Sequence, residues 1–317
     1  MDLNNLEVEK NLKIVYMGTP DFSATVLKGL VENYKVRAVV SQPDRMVGRN
    51  KEVRLTPVKQ VANDNTILVI QPEKIKEAVD EVLAFEPDLI ITCAYGQIIP
   101  KAILDYPRLG CINVHASLLP KLRGGAPIHR CILEGHSKTG ITIMYMSEKM
   151  DAGDMIMQRE IEIENEDTAE ILHDKLSILG RDLLLEVLPS IINGTNERTK
   201  QDESQVTYGF NISREDEKLD FNKTSRQIYN HIRGLNSWPG AYTKLDGKIL
   251  KIWSSRVSDN VPQGFNGTIT AIYKDGFGVK TANGEIVVTE VQMEGKKRMS
   301  GADFANGYKD LVGKMLS

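Results

Sequence analysis

The chain has 317 residues, 41% of them hydrophobic and 26% charged, an ordinary globular composition and enough length for two domains. No apolar run approaches the ~18 residues of a membrane span. The polar first residues lack the apolar core of a secretory signal, and three cysteines (Cys93, Cys111, Cys131) without a Cys-x-x-Cys pair suit a cytoplasmic protein better than a disulfide scaffold or zinc site. The net charge of -3 divides into -7 over residues 1–203 and +4 over 204–317, which is either chance surface variation or a C-terminal part facing a polyanion.

A short apolar strand is predicted at 13–17, followed by Gly18 and a helix start at Thr19-Pro20-Asp21, with Thr19 as N-cap and Pro20 in the first turn. That helix runs to about residue 33 and a strand follows at 36–41. Residues 42–57 are polar and basic, with no apolar period. A short strand at 67–70 precedes a helix over 73–85, where Ile75, Val79 and Leu83 recur at four-residue spacing. Buried-type strands are predicted at 88–94, 111–115 and 139–146, an alternating strand at 155–163, and a strong amphipathic helix at 168–188. Strand–helix alternation of this kind predicts an α/β domain built on a mostly parallel, Rossmann-like sheet, with ligands beyond the C-terminal strand ends.

Residues 193–207 nearly lack apolar side chains and read as a linker. Beyond it the character changes. A helix at 225–235 is followed by short strands at 242–245, 249–254, 267–273, 276–281 and 286–291, separated by Asp-Gly and Asn-Gly turns. This spacing predicts a small β-barrel, OB-like in type. The expected organisation is a catalytic domain over 1–192, the linker over 193–207 and the barrel over 208–317.

Several chemistries lack their motifs. The first βα turn, GTPDFS at 18–23, has no G-x-G-x-x-G for a dinucleotide pyrophosphate. No P-loop, no G-x-S-x-G elbow and no H-E-x-x-H pattern occurs, so no metal is expected.

The informative segment is CINVHASLLPKLRGGAP at 111–127. Alternation along the strand puts Asn113 and His115 on one face, at the strand's C-terminal end. A polar pair ending an apolar strand is costly unless satisfied. Alone it reads first as a hydrogen-bonded core pair. The SLLP and RGGAP runs that follow, with Asp151 in MDAGD 38 residues after Asn113, resemble the signature of the folate-dependent formyltransferases. The resemblance covers nearly the whole chain through GTPDF at 18–22, QPDR at 42–45, AYGQIIP at 94–100, RLGCINVH at 108–115 and DAGDM at 151–155. Trp238-Pro239 and GKKRMSG at 295–301 make it most similar to the branch of the family that acts on initiator methionyl-tRNA.

The resemblance implies transfer of the formyl group of 10-formyltetrahydrofolate to an amine, with Asn113, His115 and Asp151 as catalytic residues. Formyl transfer between nitrogens passes through a tetrahedral adduct bearing an oxyanion. Asn113 and a His115 N–H are donors for that oxygen, each fixed donor being worth ~3–4 kcal/mol of barrier. An imidazole suits the proton's passage from the attacking amine to the departing folate nitrogen. Asp151 would orient His115. The folate is expected against Ala94, Tyr95, Gly96, Gln97, Ser117, Leu118, Leu119, Pro120 and Gly153, the two leucines reading equally as core. For tRNA the resemblance implies Arg45, Arg49, Lys51 and Arg54 in the basic 42–57 loop, with Gly48 allowing it to bend, and Lys296, Lys297 and Arg298 in the C-terminal domain. Duplex RNA is met there mostly by shape and phosphate. A monomer without a membrane partner is expected. An enzyme formylating a nucleotide-linked amino sugar would share the catalytic residues, though not the basic loop. A formyl-folate hydrolase, and a non-catalytic RNA-binding relative, are more distant alternatives.

Overall fold

The computed structural model describes residues 12–47 and 52–317. The described residues divide into two compact units, one of 12–47, 52–127, 139–161 and 173–210, the other of 128–138, 162–172 and 211–317.

The first unit is built on a seven-stranded sheet. Its strands are β1 (Ile14–Gly18), β2 (Val36–Val40), β5 (Leu68–Ile70), β6 (Leu89–Cys93), β7 (Cys111–His115), β8 (Lys138–Tyr145) and β9 (Met155–Glu162). They lie in the order β5-β2-β1-β6-β7-β8-β9. The first five are parallel and β8 runs antiparallel to β7. Central strands covered on both faces read as continuous apolar runs, and β1 (IVYMG) and β6 (LIITC) are buried at every residue. At the edge, β9 alternates between half-buried and exposed from Met157 on, as a strand solvated on one face must. Helix α1 (Asp21–Asn33) follows β1 and α2 (Pro57–Asp64) precedes β5. The Thr56 hydroxyl caps α2 by accepting the Lys59 N–H at 3.2 Å.

From β1 the chain steps outward to β2 and β5, then crosses back to place β6 on the other side of β1. The loops leaving β1 and β6 therefore diverge, and such a reversal opens a crevice at the carboxyl ends of the strands. Thr19 does not cap α1 as expected: the N-cap is Pro20, without a side-chain bond. The Thr19 hydroxyl spans the reversal instead, donating to the Tyr95 carbonyl (3.2 Å) and accepting the Gln42 N–H (3.3 Å). Gly18 is required here, because a Cβ would lie 2.8 Å from the Cys93 carbonyl oxygen and closer still to the Ser23 hydroxyl.

The helix expected over 73–85 is broken into a 3-10 turn at Ile75–Glu77 and a short helix α3 (Val79–Leu83). The side-chain oxygen of Gln97, 22 residues away, takes the Ile75 N–H at 2.7 Å and ties the start of the segment to the loop after β6. A short helix α4 (Lys101–Leu104) closes that loop. Helix α5 (Pro127–Leu133) precedes β8, and the long α6 (Ala169–Ile192) follows β9.

The second unit holds α7 (Ser225–Gly234) and an antiparallel sheet of β10 (Ala241–Leu245), β11 (Lys248–Ser258), β14 (Gly284–Met293), β13 (Gly276–Thr281) and β12 (Ile269–Tyr273) in that order, with β15 (Met299–Ser300) paired to β14 and α8 (Gly301–Gly307) following it. Thr224 and Gln227 close a reciprocal capping box at the start of α7. The core comprises inward residues of β10 to β14, among them Leu250, Ile252, Phe277, Val279, Ile286 and Val288. Among the described residues, no helix is long and apolar enough to cross a membrane, and no group of three or more His, Cys, Asp and Glu side chains could hold a metal ion.

Candidate active site

Strand β7 delivers Asn113 and His115 to its C-terminal end. Asn113 is half-buried. Its Oδ1 accepts the Thr92 hydroxyl of β6 at 2.9 Å, although the same hydroxyl is within 3.1 Å of the Ile112 carbonyl and of Met146 Sδ. With its carbonyl turned to Thr92, the amide has its NH2 edge left over, and that edge makes no hydrogen bond among the described residues. It is a fixed donor in want of an acceptor.

His115 is 6% exposed. Its Nε2 lies 3.1 Å from the Leu122 carbonyl oxygen, which can only accept, so Nε2 carries the proton. Nδ1 is then the nitrogen that takes and releases one. It faces Asp151 Oδ2 at 3.7 Å, beyond hydrogen-bond length and within ion-pair range. The same carboxylate oxygen accepts the Gly124 N–H at 2.8 Å. Two loops from distant parts of the chain thus meet at the imidazole, and Asn113 lies two residues before it on the same face of β7.

Both loops are strained and braced. Leu122 (φ 58°) and Asp151 (φ 49°) sit in the left-handed region, which costs a non-glycine residue ~1–3 kcal/mol. The brace is the polar run 193–207. Met155 and Thr199 exchange two backbone hydrogen bonds of 2.8 Å. Gln201, buried, donates from Nε2 to the carbonyls of Asp151 (2.8 Å) and Gly153 (2.9 Å). Its Oε1 accepts Arg123 Nε at 2.9 Å, and Arg123, 3% exposed, continues to Glu203 at 2.8 Å. That guanidinium holds the Glu203 carboxyl below its ordinary range. The Leu122 N–H reaches the Thr207 hydroxyl at 2.9 Å. At Gly153 the loop passes so close to β8 that a Cβ would lie 1.9 Å from the Tyr145 carbonyl oxygen. Gln201 and Thr207 escaped the sequence reading, and Arg123 entered it only as the first residue of the RGGAP run, because their partners lie 48 to 85 residues away and no local spacing marks those contacts.

The loop after β6 lies at the crevice. Ala94 (φ 47°) and Gly96 (φ 89°) are exposed there and show their backbone. Gln97 donates to Gln42 Oε1 (3.3 Å) and to the Glu73 carbonyl (3.2 Å). The Tyr95 ring turns inward to the core. Burial pushes its phenol up to about 12, and its hydroxyl finds no partner among the described residues. Only the Tyr95 backbone is on the crevice side, where its carbonyl accepts from Thr19 and Gln42. In the SLLP run, Ser117 is buried with its hydroxyl donating to the Lys121 carbonyl at 2.7 Å. Leu119 is buried, its N–H held by Thr142 at 3.2 Å. Leu118 and Pro120 are half-buried.

The basic loop forms a hairpin of β3 (Arg45–Val47) and β4 (Glu52–Arg54). Arg45 stands directly opposite Arg54, and both are exposed without an ion pair among the described residues. Like charges in such a pair destabilise a hairpin, and a polyanion relieves the repulsion. Arg49 and Lys51, with Gly48, lie outside the described residues. The base of the hairpin is clamped by Asp44, which is paired with Lys59 and accepts from Gln71 (2.9 Å) and the Thr56 N–H (3.2 Å). Burial works to raise the Asp44 carboxyl, and the Lys59 and Gln71 hydrogen bonds outweigh it and bring it below its ordinary range. In the second unit Lys296, Lys297 and Arg298 are exposed. Arg298 is paired with Glu290 and stacked over the Trp253 ring at 4.8 Å.

A family model described as formyl transferase matches residues 12–188, and one described as formyl transferase, C-terminal domain, matches 211–309. The chain belongs to the formyl transferase family. Curated members of the family similar to it include the methionyl-tRNA formyltransferases of Bacillus cereus (strain B4264) and Bacillus thuringiensis subsp. konkukian (strain 97-27). Each is 53% identical over 309 residues, which span 96% of this chain and 98% of the relative. Among solved structures, the fold resembles that of an N-formyltransferase from Helicobacter canadensis in complex with folinic acid and dTDP-3-aminofucose (TM-score 0.66, 23% identity, 89% of this chain and 99% of that one). It also resembles HypX from Aquifex aeolicus in complex with tetrahydrofolic acid (TM-score 0.66, 18% identity, 94% and 48%). The formyl transferase fold accordingly comprises the mostly parallel sheet of the first unit and the antiparallel sheet of the second.

Proposed function

We propose that this formyltransferase moves the formyl group of 10-formyltetrahydrofolate to the α-amino group of methionine esterified to initiator tRNA, in the cytoplasm, with Asn113, His115 and Asp151 acting at the reacting atoms. The observation that carries the chemistry is the approach of His115 Nδ1 to Asp151 Oδ2 at 3.7 Å, and Asn113, with its NH2 edge unbonded, precedes His115 by two residues on the same strand face. The near-full-length similarity to methionyl-tRNA formyltransferases supports this acceptor.

The amine attacks the formyl carbon and the C=O electrons move to oxygen. Asn113 Nδ2 donates to that oxygen, a contribution of ~3–4 kcal/mol for one oriented donor in a water-poor site. An α-amino group titrates near ~7.7–8.0 and the neighbouring ester lowers it further, so much of it is neutral at cellular pH and no strong base is needed for attack. The new C–N bond leaves a proton on the former amine. His115 Nδ1 accepts it and returns it to the folate nitrogen as the old C–N bond breaks, which leaves tetrahydrofolate and the formylated aminoacyl ester. Asp151 offsets the charge on the imidazole in transit. The loop at 94–97 receives the pterin through its backbone, and Arg45 and Arg54 meet phosphates of the acceptor stem.

The test offers labelled formyl folate with charged initiator tRNA and with a nucleotide-linked amino sugar, side by side. Label in the tRNA alone is expected, and label in the sugar alone overturns the acceptor.

A further inference from the structure

Two aromatic rings stand in solvent beside the catalytic loops. Tyr208 is 48% and Phe210 61% exposed, and their rings stack at 5.3 Å with 7° between planes. Residues i and i+2 of an extended segment share a face. Gly209 between them is buried, with an added Cβ only 3.2 Å from Pro127 Cα. The segment is stitched to the loop after β7. Arg123 N–H donates to the Thr207 carbonyl (2.9 Å), Gly209 N–H to the Arg123 carbonyl (2.8 Å) and Ala126 N–H to the Gly209 carbonyl (2.9 Å). Arg123 and Tyr208 pair as a parallel bridge. Leu122 and Gly124, on either side of Arg123, are the residues that hold His115 and Asp151. With ~4.8 Å between paired backbones and ~3.8 Å between successive Cα atoms, the Tyr208 backbone lies on the order of 10 Å from the His115 ring.

We infer that Tyr208 and Phe210 form a stacking platform for the terminal nucleobase of the aminoacylated RNA. The inference rests on the acceptor proposed above. The amine that reacts is joined to the terminal ribose through a single ester, so once it reaches His115 the base of that nucleotide lies about one ribose and one ester away, the reach just derived. Cations at that point would serve a phosphate, whereas an exposed aromatic face serves a base. Stacking accepts any base, because each has a π-face. The platform therefore positions the acceptor end without reading sequence, and discrimination among tRNAs falls to other contacts.

The test compares initiator tRNA methionylated on a terminal adenosine with the same tRNA methionylated on a terminal abasic ribose, using the full-length enzyme. The parent is expected to favour adenosine by about fivefold to a hundredfold in kcat/KM, the range for one lost base–aromatic stack. The double variant Tyr208→Ala, Phe210→Ala should lose that preference while its rate on the abasic substrate stays at the parental value. Tyr208→Phe, which keeps the ring, should keep the preference and controls for folding. A parent indifferent to the base, or a double variant equally impaired on both substrates, overturns the platform. A parent inactive on both tRNAs and active on an amino-sugar nucleotide overturns the acceptor reading itself, and the platform with it.

Discussion

Replacing Asp151 by Asn removes one charge and little else. Asn tolerates the left-handed backbone that Asp151 adopts (φ 49°) as readily as Asp does, and its side-chain oxygen still accepts the Gly124 N–H now bound at 2.8 Å. The loop should keep its shape. What is lost is the attraction between the carboxylate and an imidazole carrying the proton in transit. At the 3.7 Å separation, and an effective dielectric near 20, that attraction is ~4 kcal/mol. The amide dipole recovers part of it, so ~3 kcal/mol, or roughly 10²-fold in rate, is expected. The assay is single-turnover formyl transfer with enzyme in excess over charged tRNA, beside a melting curve. If Asp151 only anchors the loop, its amide does so equally well. A variant melting like the parent and within about threefold of its rate would refute the electrostatic role.

Gln201→Ala should leave two strained-loop carbonyls and the buried Arg123 Nε without partners, lowering stability by ~1–3 kcal/mol and kcat with it, while KM for tRNA stays put; melting and steady-state kinetics separate the two effects. The double variant Arg45→Ala, Arg54→Ala should reduce the slope of log K against log salt by about 2, one per lost phosphate contact, without loss of thermal stability, since two opposed like charges are removed; an unchanged slope removes the hairpin from the RNA interface. In the second unit the Arg130 guanidinium holds the Asp216 carboxyl down to about 2. A carboxyl lowered on folding stabilises above its unfolded value of ~3.9, and the contribution fades as pH falls toward the folded one. With the Ser213 N–H still bonded to the carboxylate and solvent screening the pair, Arg130→Met should therefore cost on the order of 1 kcal/mol at neutral pH and flatten the acid limb between about pH 4 and 2, as denaturant melts across that range would record.

The strands of the first unit were legible where burial on both faces forces an apolar run, and β7 spans the predicted 111–115. Asn113 and His115 were legible for the same reason, as polar residues closing such a run, and the roles proposed for them came from the family signature. Legibility failed where a distant partner decides the local conformation. Ile75, Val79 and Leu83 have helical spacing, yet the segment divides into a 3-10 turn at Ile75–Glu77 and a short helix at Val79–Leu83, its start held by Gln97 from the loop after β6. Thr19 has the chemistry of an N-cap, yet it spends its hydroxyl across the sheet reversal. The run 193–207 is polar because it is exposed almost throughout, and within it Gln201 and Thr207 bond the backbones of other loops. Gln42–Pro57 shows no apolar period because its hairpin is exposed, with Met46 and Val53 paired at 69% and 62% exposure.

The most direct measurement pairs transfer with binding for His115→Ala, the residue whose Nδ1 faces Asp151. Single-turnover formylation of charged initiator tRNA should fall by roughly 10²–10⁴-fold, the range for a lost proton-transfer group, with the Kd for that tRNA unchanged. A variant that formylates at the parental rate, with the same affinity, contradicts the placement of proton transfer on this imidazole.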